Sequence, residues 1–235
     1  GWSHLAVAQS SRDCVENCDF GIFLGEGFRA IDAAVLIDSS LVVVGEKLDG
    51  SVVAIYSQRF SPDGIRRGGE RQVNTFAGYQ TSPQILALPD GGYVVAWDSS
   101  NQDGSGLGVY SQRFSADGTR MGQEQRVNTF TAQNQHRARL LALSGGQYLV
   151  AWHSYSQDGS GYGVYSQRFA LNGIRIGQES RINTFTEGDQ NNPRFLRLND
   201  GAYVGVWNSY GQDGLGWGVY SQCFSLNGDR LGNEQ

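Results

Sequence analysis

Lysine, methionine and histidine are nearly missing from this sequence of 235 residues, which has Lys47, Met121 and three histidines (His4, His136, His153). Charged residues make up 17% of it, and its formal net charge is −5. The arginines are scattered about once per turn or strand, so the basic stripe of a nucleic-acid surface is absent and no nucleic-acid partner is expected. No apolar run reaches the ~18 residues that a spanning helix needs, and no transmembrane segment is expected. Runs with helical periodicity are few.

Catalytic signatures are equally sparse. No Gly-x-Ser-x-Gly elbow accompanies the few histidines, and the lysine of a Walker-type phosphate loop is missing. Paired carboxylates of the glycosidase kind could still meet in space. Glu70, Glu124, Glu179 and Glu234, however, occupy one recurring position, which points to the fold. The sequence therefore predicts no catalytic residues and no enzyme.

Glycine, by contrast, is plentiful at 33 residues, as short strands and tight turns require. The string Tyr-Ser-Gln-Arg-Phe begins at Tyr56, Tyr110 and Tyr165 and returns at Tyr220 with Cys223 in place of arginine, at spacings of 54, 55 and 55 residues. A single unit of this size cannot bury its own faces, so the copies must stack into one domain.

Each unit reads as four strands. The first is 82–88, 137–143 and 193–198, with 33–37 more loosely; the second, almost continuously apolar, is 93–97, 148–152 and 203–207, with 41–45 in the first unit. The third carries the Tyr-Ser-Gln-Arg-Phe string. Asp63-Gly64, Asp117-Gly118, Asn172-Gly173 and Asn227-Gly228 follow it as hairpin signals. A fourth strand is predicted over 72–76, 126–130 and 181–185. The expected fold is all-β: a small β-propeller of four four-stranded blades, with units at about 28–76, 77–130, 131–185 and 186–235. The last unit stops where its fourth strand should begin, so Leu5–Ala8 is expected to supply that strand and close the ring. A ring left incomplete is the alternative.

Residues 1–27 also hold Cys14 and Cys18, spaced for a loop disulfide of an oxidising compartment. Half of a metal site and free thiols are the other readings.

The run Asp90-Gly91-Gly92-Tyr93-Val94-Val95-Ala96-Trp97, with Gln102-Asp103-Gly104-Ser105-Gly106, Tyr110–Phe114 and Val127-Asn128-Thr129, resembles tandem repeats of secreted and cell-surface bacterial proteins. Such repeats often accompany calcium-dependent modules. The hairpin after the third strand is distantly similar to the Asp-box of sialidase-like propellers, although Ser61-Pro62-Asp63-Gly64 brings its glycine one place early. The resemblance implies an extracellular, cell-surface or periplasmic setting.

Three Gln-Asp-Gly loops offer Asp103, Asp158 and Asp213 as candidate calcium ligands, although each loop has one clear carboxylate where calcium wants six to eight oxygens. A turn that needs Asp and Gly is the other reading, and no other cofactor is expected. Where the units diverge, Asp98, His153 and Asn208 follow the three tryptophans, and Tyr155 with Tyr162 and Tyr210 with Trp217 stand on loops at one rim. Aromatic rings beside hydrogen-bonding groups suit a glycan. The sequence thus predicts a non-catalytic binding module for a glycan, with a surface protein or a second copy as alternative partner and a sialidase-like hydrolase as a further alternative.

Overall fold

The computed structural model describes residues 24–235. Sixteen strands form four antiparallel sheets, each in simple sequence order. Sheet one holds β1 (Phe28–Val35), β2 (Leu41–Asp49), β3 (Val52–Phe60) and β4 (Arg66–Gln72). Sheet two holds β5 (Gln80–Ala87), β6 (Tyr93–Ser100), β7 (Leu107–Phe114) and β8 (Arg120–Arg126). Sheet three holds β9 (Gln135–Ala142), β10 (Tyr148–Tyr155), β11 (Tyr162–Phe169) and β12 (Arg175–Arg181). Sheet four holds β13 (Gln190–Arg197), β14 (Tyr203–Tyr210), β15 (Trp217–Phe224) and the short β16 (Arg230–Leu231). No helix among the described residues is long and apolar enough to cross a membrane.

The first strands pack in series, β1 on β5, β5 on β9 and β9 on β13. Among the described residues no comparable packing joins β13 to β1. The four sheets are thus arranged as propeller blades without closing into a ring.

Two expectations are corrected. The fourth strand lies earlier than predicted, directly after the Asp/Asn-Gly turn, where Gly64, Gly118, Gly173 and Gly228 take φ of 80° to 89°. The apolar Val-Asn-Thr-Phe run that suggested a strand is instead the link to the next sheet. In the last unit β16 occupies the outer position, with Cys223 opposite Leu231, so the chain's own C-terminal segment stands beside Tyr220–Phe224. Leu5–Ala8, Cys14 and Cys18 lie outside the described residues.

Aromatic residues hold the sheets together. Tyr93 stacks on Phe114 at 5.0 Å between ring centroids, and Tyr148–Phe169 and Tyr203–Phe224 repeat the pair. These rings, with Trp97, Trp152 and Trp207, meet the aliphatic back of the preceding sheet: Val42, Val44, Ile55 and Val73 between sheets one and two, and Val94, Ala96, Val109 and Val127 between sheets two and three. Complete burial of such side chains stabilises by roughly 1.5–3 kcal/mol each.

The repeated polar residues stitch the same joints. Glu124 Oε2 accepts from the Thr75 amide at 2.6 Å and from its hydroxyl at 2.9 Å, while Gln102 of the Gln-Asp-Gly loop donates to the other oxygen at 2.7 Å. Glu179 and Glu234 do the same for Thr129 and Thr184. Arg120, Arg175 and Arg230 each donate to backbone carbonyls of the preceding sheet.

Candidate functional site

The site-bearing feature is an irregularity in the first strands. Opposite each tryptophan two residues stand where one is expected: Ser82 and Pro83 against Trp97, Arg137 and Ala138 against Trp152, Asn192 and Pro193 against Trp207. The first residue of each pair adopts φ of 53° to 58°. A bulge of this kind leaves an amide without a ladder partner, and burial demands that it find one.

The residue after the tryptophan of the preceding sheet supplies that partner. Asp98 accepts from the Arg137 amide at 2.9 Å, and His153 Nε2 accepts from the Asn192 amide at 2.9 Å. In sheet one Gly45 stands where the others have tryptophan, so the equivalent residue is Glu46. Its Oε1 accepts from the Ser82 amide at 2.8 Å and from the Thr81 hydroxyl at 2.5 Å. Asp98 and His153 are therefore buried beneath the surface and spent on the backbone, whereas the sequence placed them on a rim. Asn208 holds the same position in sheet four, half-buried.

Burial sets the charge of these groups. It pushes Asp98 up to about 7, against the pull of the Arg137 and Ala138 amides and of Arg139 and Arg137. It pushes His153 down to about 3, aided by His136 and three arginines, and His136 down to about 4, aided by Arg137. A neutral His153 leaves Nε2 free to accept, as its bond to Asn192 requires.

The predicted aromatic pairs do form. Tyr155 meets Tyr162 edge-on at 5.0 Å, and Tyr210 meets Trp217 at 5.3 Å. Each pair sits within its own hairpin, in different sheets. His136, 5.3 Å from Tyr162 and 5.5 Å from His153, joins the first pair to the interior. The Gln-Asp-Gly carboxylates also stay apart, one per sheet. Asp103 and Asp213 accept from amides of their own loops, and Asp158 lies 3.8 Å from Arg181. Among the described residues no three His, Cys, Asp or Glu side chains are grouped to hold a metal ion.

Charged groups converge elsewhere, on a pocket of about 320 Å³ between the first strands of sheets one, two and three. Arg29, Glu46, Ser82, Gln84, Arg137 and Arg139 line it. Arg29 pairs with Glu46 at 3.0 Å. Arg137 reaches the Asn192 side chain at 3.2 Å. Among the described residues Arg139 donates only to the neighbouring Ala138 carbonyl, and burial together with the nearby positive Arg194 makes its charge costly. Beside the pocket Asp32 accepts from the Ile85 amide at 2.9 Å and is pushed up by burial.

No family model matches this sequence, and no curated protein matches it. Solved structures do match its fold. An α-L-arabinofuranosidase of Fusarium graminearum, solved with arabinobiose, covers 90% of this chain and 67% of its own at 13% identity, with a TM-score of 0.60. An α-L-arabinofuranosidase from Lactobacillus brevis covers 86% and 72% at 10% identity, with a TM-score of 0.52. An endo-arabinase from Bacteroides thetaiotaomicron covers 88% and 81% at 14% identity, with a TM-score of 0.50. At these identities the likeness is one of fold. The chain spans about two thirds of the fungal enzyme.

These neighbours correct the expectation of a non-catalytic module that is not an enzyme. The arrangement of sheets is one that solved glycoside hydrolases share. Scarce histidines exclude no chemistry run by carboxylates, and the carboxylates beside the pocket, Glu46 and Asp32, stand at repeat positions where the residue type changes from sheet to sheet.

Proposed function

We propose that this chain is a glycoside hydrolase working in the pocket between its first strands, on a sugar that carries an acid group. One observation carries the reading: Arg29, Arg137, Arg139 and Glu46 meet in a single pocket of a fold shared with solved glycosidases. The neighbours are named as arabinofuranosidases and an endo-arabinase, so arabinosides are the first sugars to test here. The guanidinium groups match a carboxylate's planar geometry, and they add the preference for a uronic-acid-type sugar.

Glu46 and Asp32 are the two carboxylates of the mechanism. They grip β5 at Ser82 and Ile85, three residues apart. Glu46 lines the pocket, and Asp32 stands beside it on β1. Asp32, raised by burial, is the acid that protonates the leaving oxygen; Glu46 is the base that takes the proton of the attacking water.

Fluorogenic arabinofuranosides and glycosiduronides test the proposal. Hydrolysis of either class, with Glu46→Gln at least about 100-fold slower, is the expected outcome. No turnover on either class, or full activity in Glu46→Gln, removes it.

A further inference from the structure

The back of each sheet in this molecule is covered by the front of the next, and sheet four alone shows its back uncovered among the described residues. Ile55, Val109 and Val164 stand at one repeated position, each fully buried, whereas Val219 at that position is 72% exposed. Leu36, Leu88 and Leu143 are buried, whereas the matching Leu198 is 37% exposed and Leu196 beside it is 64% exposed. The polar half of the joint is open as well. Glu46, Asp98 and His153 each accept the bulge amide of the following sheet. Asn208, which has a carbonyl oxygen at the same place, faces no such amide among the described residues.

Cys223 marks the same surface. Its counterparts Arg59, Arg113 and Arg168 run under the next sheet's hairpin: a Cβ added at Gly118, Gly173 or Gly228 would lie 3.3–3.4 Å from their Cδ atoms. Arg168 also donates to the Asn227 carbonyl of that hairpin. At sheet four the arginine is replaced by an exposed free thiol.

We infer that the back of sheet four is a docking face for one further sheet of this same repeat type, presenting the Tyr-Trp-Tyr-Phe front that sheets two, three and four present to their predecessors. The three joints already in the molecule specify this occupant, because each places those rings on the residues that match Val219, Leu198 and Leu196. A second copy fits less well. Its sheet one has Gly45 in place of the tryptophan, and Leu41, Val43 and Phe60 on that front are already buried with Leu24 and Phe28. This inference is independent of any catalytic activity.

The test extends the full chain by one additional copy of residues 126–181, joined after Gln235 so that the link between sheets is kept, and follows alkylation of Cys223 by peptide mass mapping. Docking slows that alkylation by about tenfold or more relative to the parent, and Val219→Asp restores the parent rate. The same substitution leaves the parent's melting temperature unmoved. Equal Cys223 rates in parent and extended chain overturn the inference. The appended unit already folds against sheet two, so its failure to order beside sheet four counts against the inference too. A parent that is itself a dimer with Cys223 protected assigns the face to a second copy and also overturns it.

Discussion

The joint between sheets two and three and the back of sheet four are built from matching residues and differ in what they face. In the first, Val109 lies under Trp152 and its cluster, Asp98 is buried on a backbone amide, and Arg113 is almost fully enclosed. In the second, Val219 and Cys223 occupy the same places exposed, and Asn208 is half-buried. A repeat position thus has no fixed energy. Its contribution comes from the neighbouring sheet, as expected where each unit interacts mainly with the next.

The largest break in this comparison comes from a charge. Val109→Asp buries a carboxylate among apolar side chains and is expected to cost about 4 kcal/mol or more, enough to unfold a marginal domain. Val219→Asp, at the matching exposed place, is expected to change stability by no more than about 0.5 kcal/mol. Urea unfolding midpoints of the two variants decide it. Equal losses would mean that sheet four's back is covered in solution.

Much of this contrast was legible beforehand. The Tyr-Ser-Gln-Arg-Phe string and the Asp/Asn-Gly turns locate the third strands and their hairpins, because buried alternation and positive φ leave strong local marks. The fourth strands left the opposite mark. Arg66–Gln72 is polar and glycine-containing because an outer strand faces solvent, whereas Val73 and Phe76 read as a strand although they belong to a link. The pocket was hidden for another reason. Nothing local to Asp98 or His153 shows that a bulge about forty residues later leaves an amide for them to hold. Glu46 was hidden further, because Gly45 removes the tryptophan that marks the position.

The buried partners of those amides sharpen the comparison through pH. Asp98 has its ordinary value of 3.8 in the unfolded chain and about 7 in the native one. The unfolded chain therefore loses a proton that the native state retains, and stability falls as pH rises from about 4 to about 7. His153 acts in the other direction. It stays neutral in the native protein down to about 3, while the unfolded chain gains a proton below 6.5, so stability falls as pH drops through that window. Asp98→Asn keeps an acceptor for the Arg137 amide and removes the loss toward neutral pH, a gain of about 2–4 kcal/mol at pH 8 relative to pH 4. His153→Asn removes part of the acid loss, with His136 retaining the remainder. Thermal melts of the three proteins from pH 4 to 8 test both signs. Parallel profiles would show that neither group is held in its unusual state.

The smallest effect isolates the thiol. Arg168 donates across the joint to the Asn227 carbonyl of sheet four, and within its own sheet to the Gln147 side chain at 2.7 Å, so Arg168→Cys removes one charge-assisted bond from a closed joint and one from sheet three. A loss of about 1–2 kcal/mol is expected, since water replaces part of what the guanidinium supplied. Cys223→Arg is the reciprocal change. It restores the repeat residue where no following hairpin carbonyl is available, and it is expected to leave the urea midpoint within about 0.5 kcal/mol of the parent. The comparison isolates the part of the arginine's contribution that comes from the hairpin it reaches. If Cys223→Arg stabilises as much as Arg168→Cys destabilises, the arginine works within one sheet, and the contrast between closed and open faces does not extend to this position.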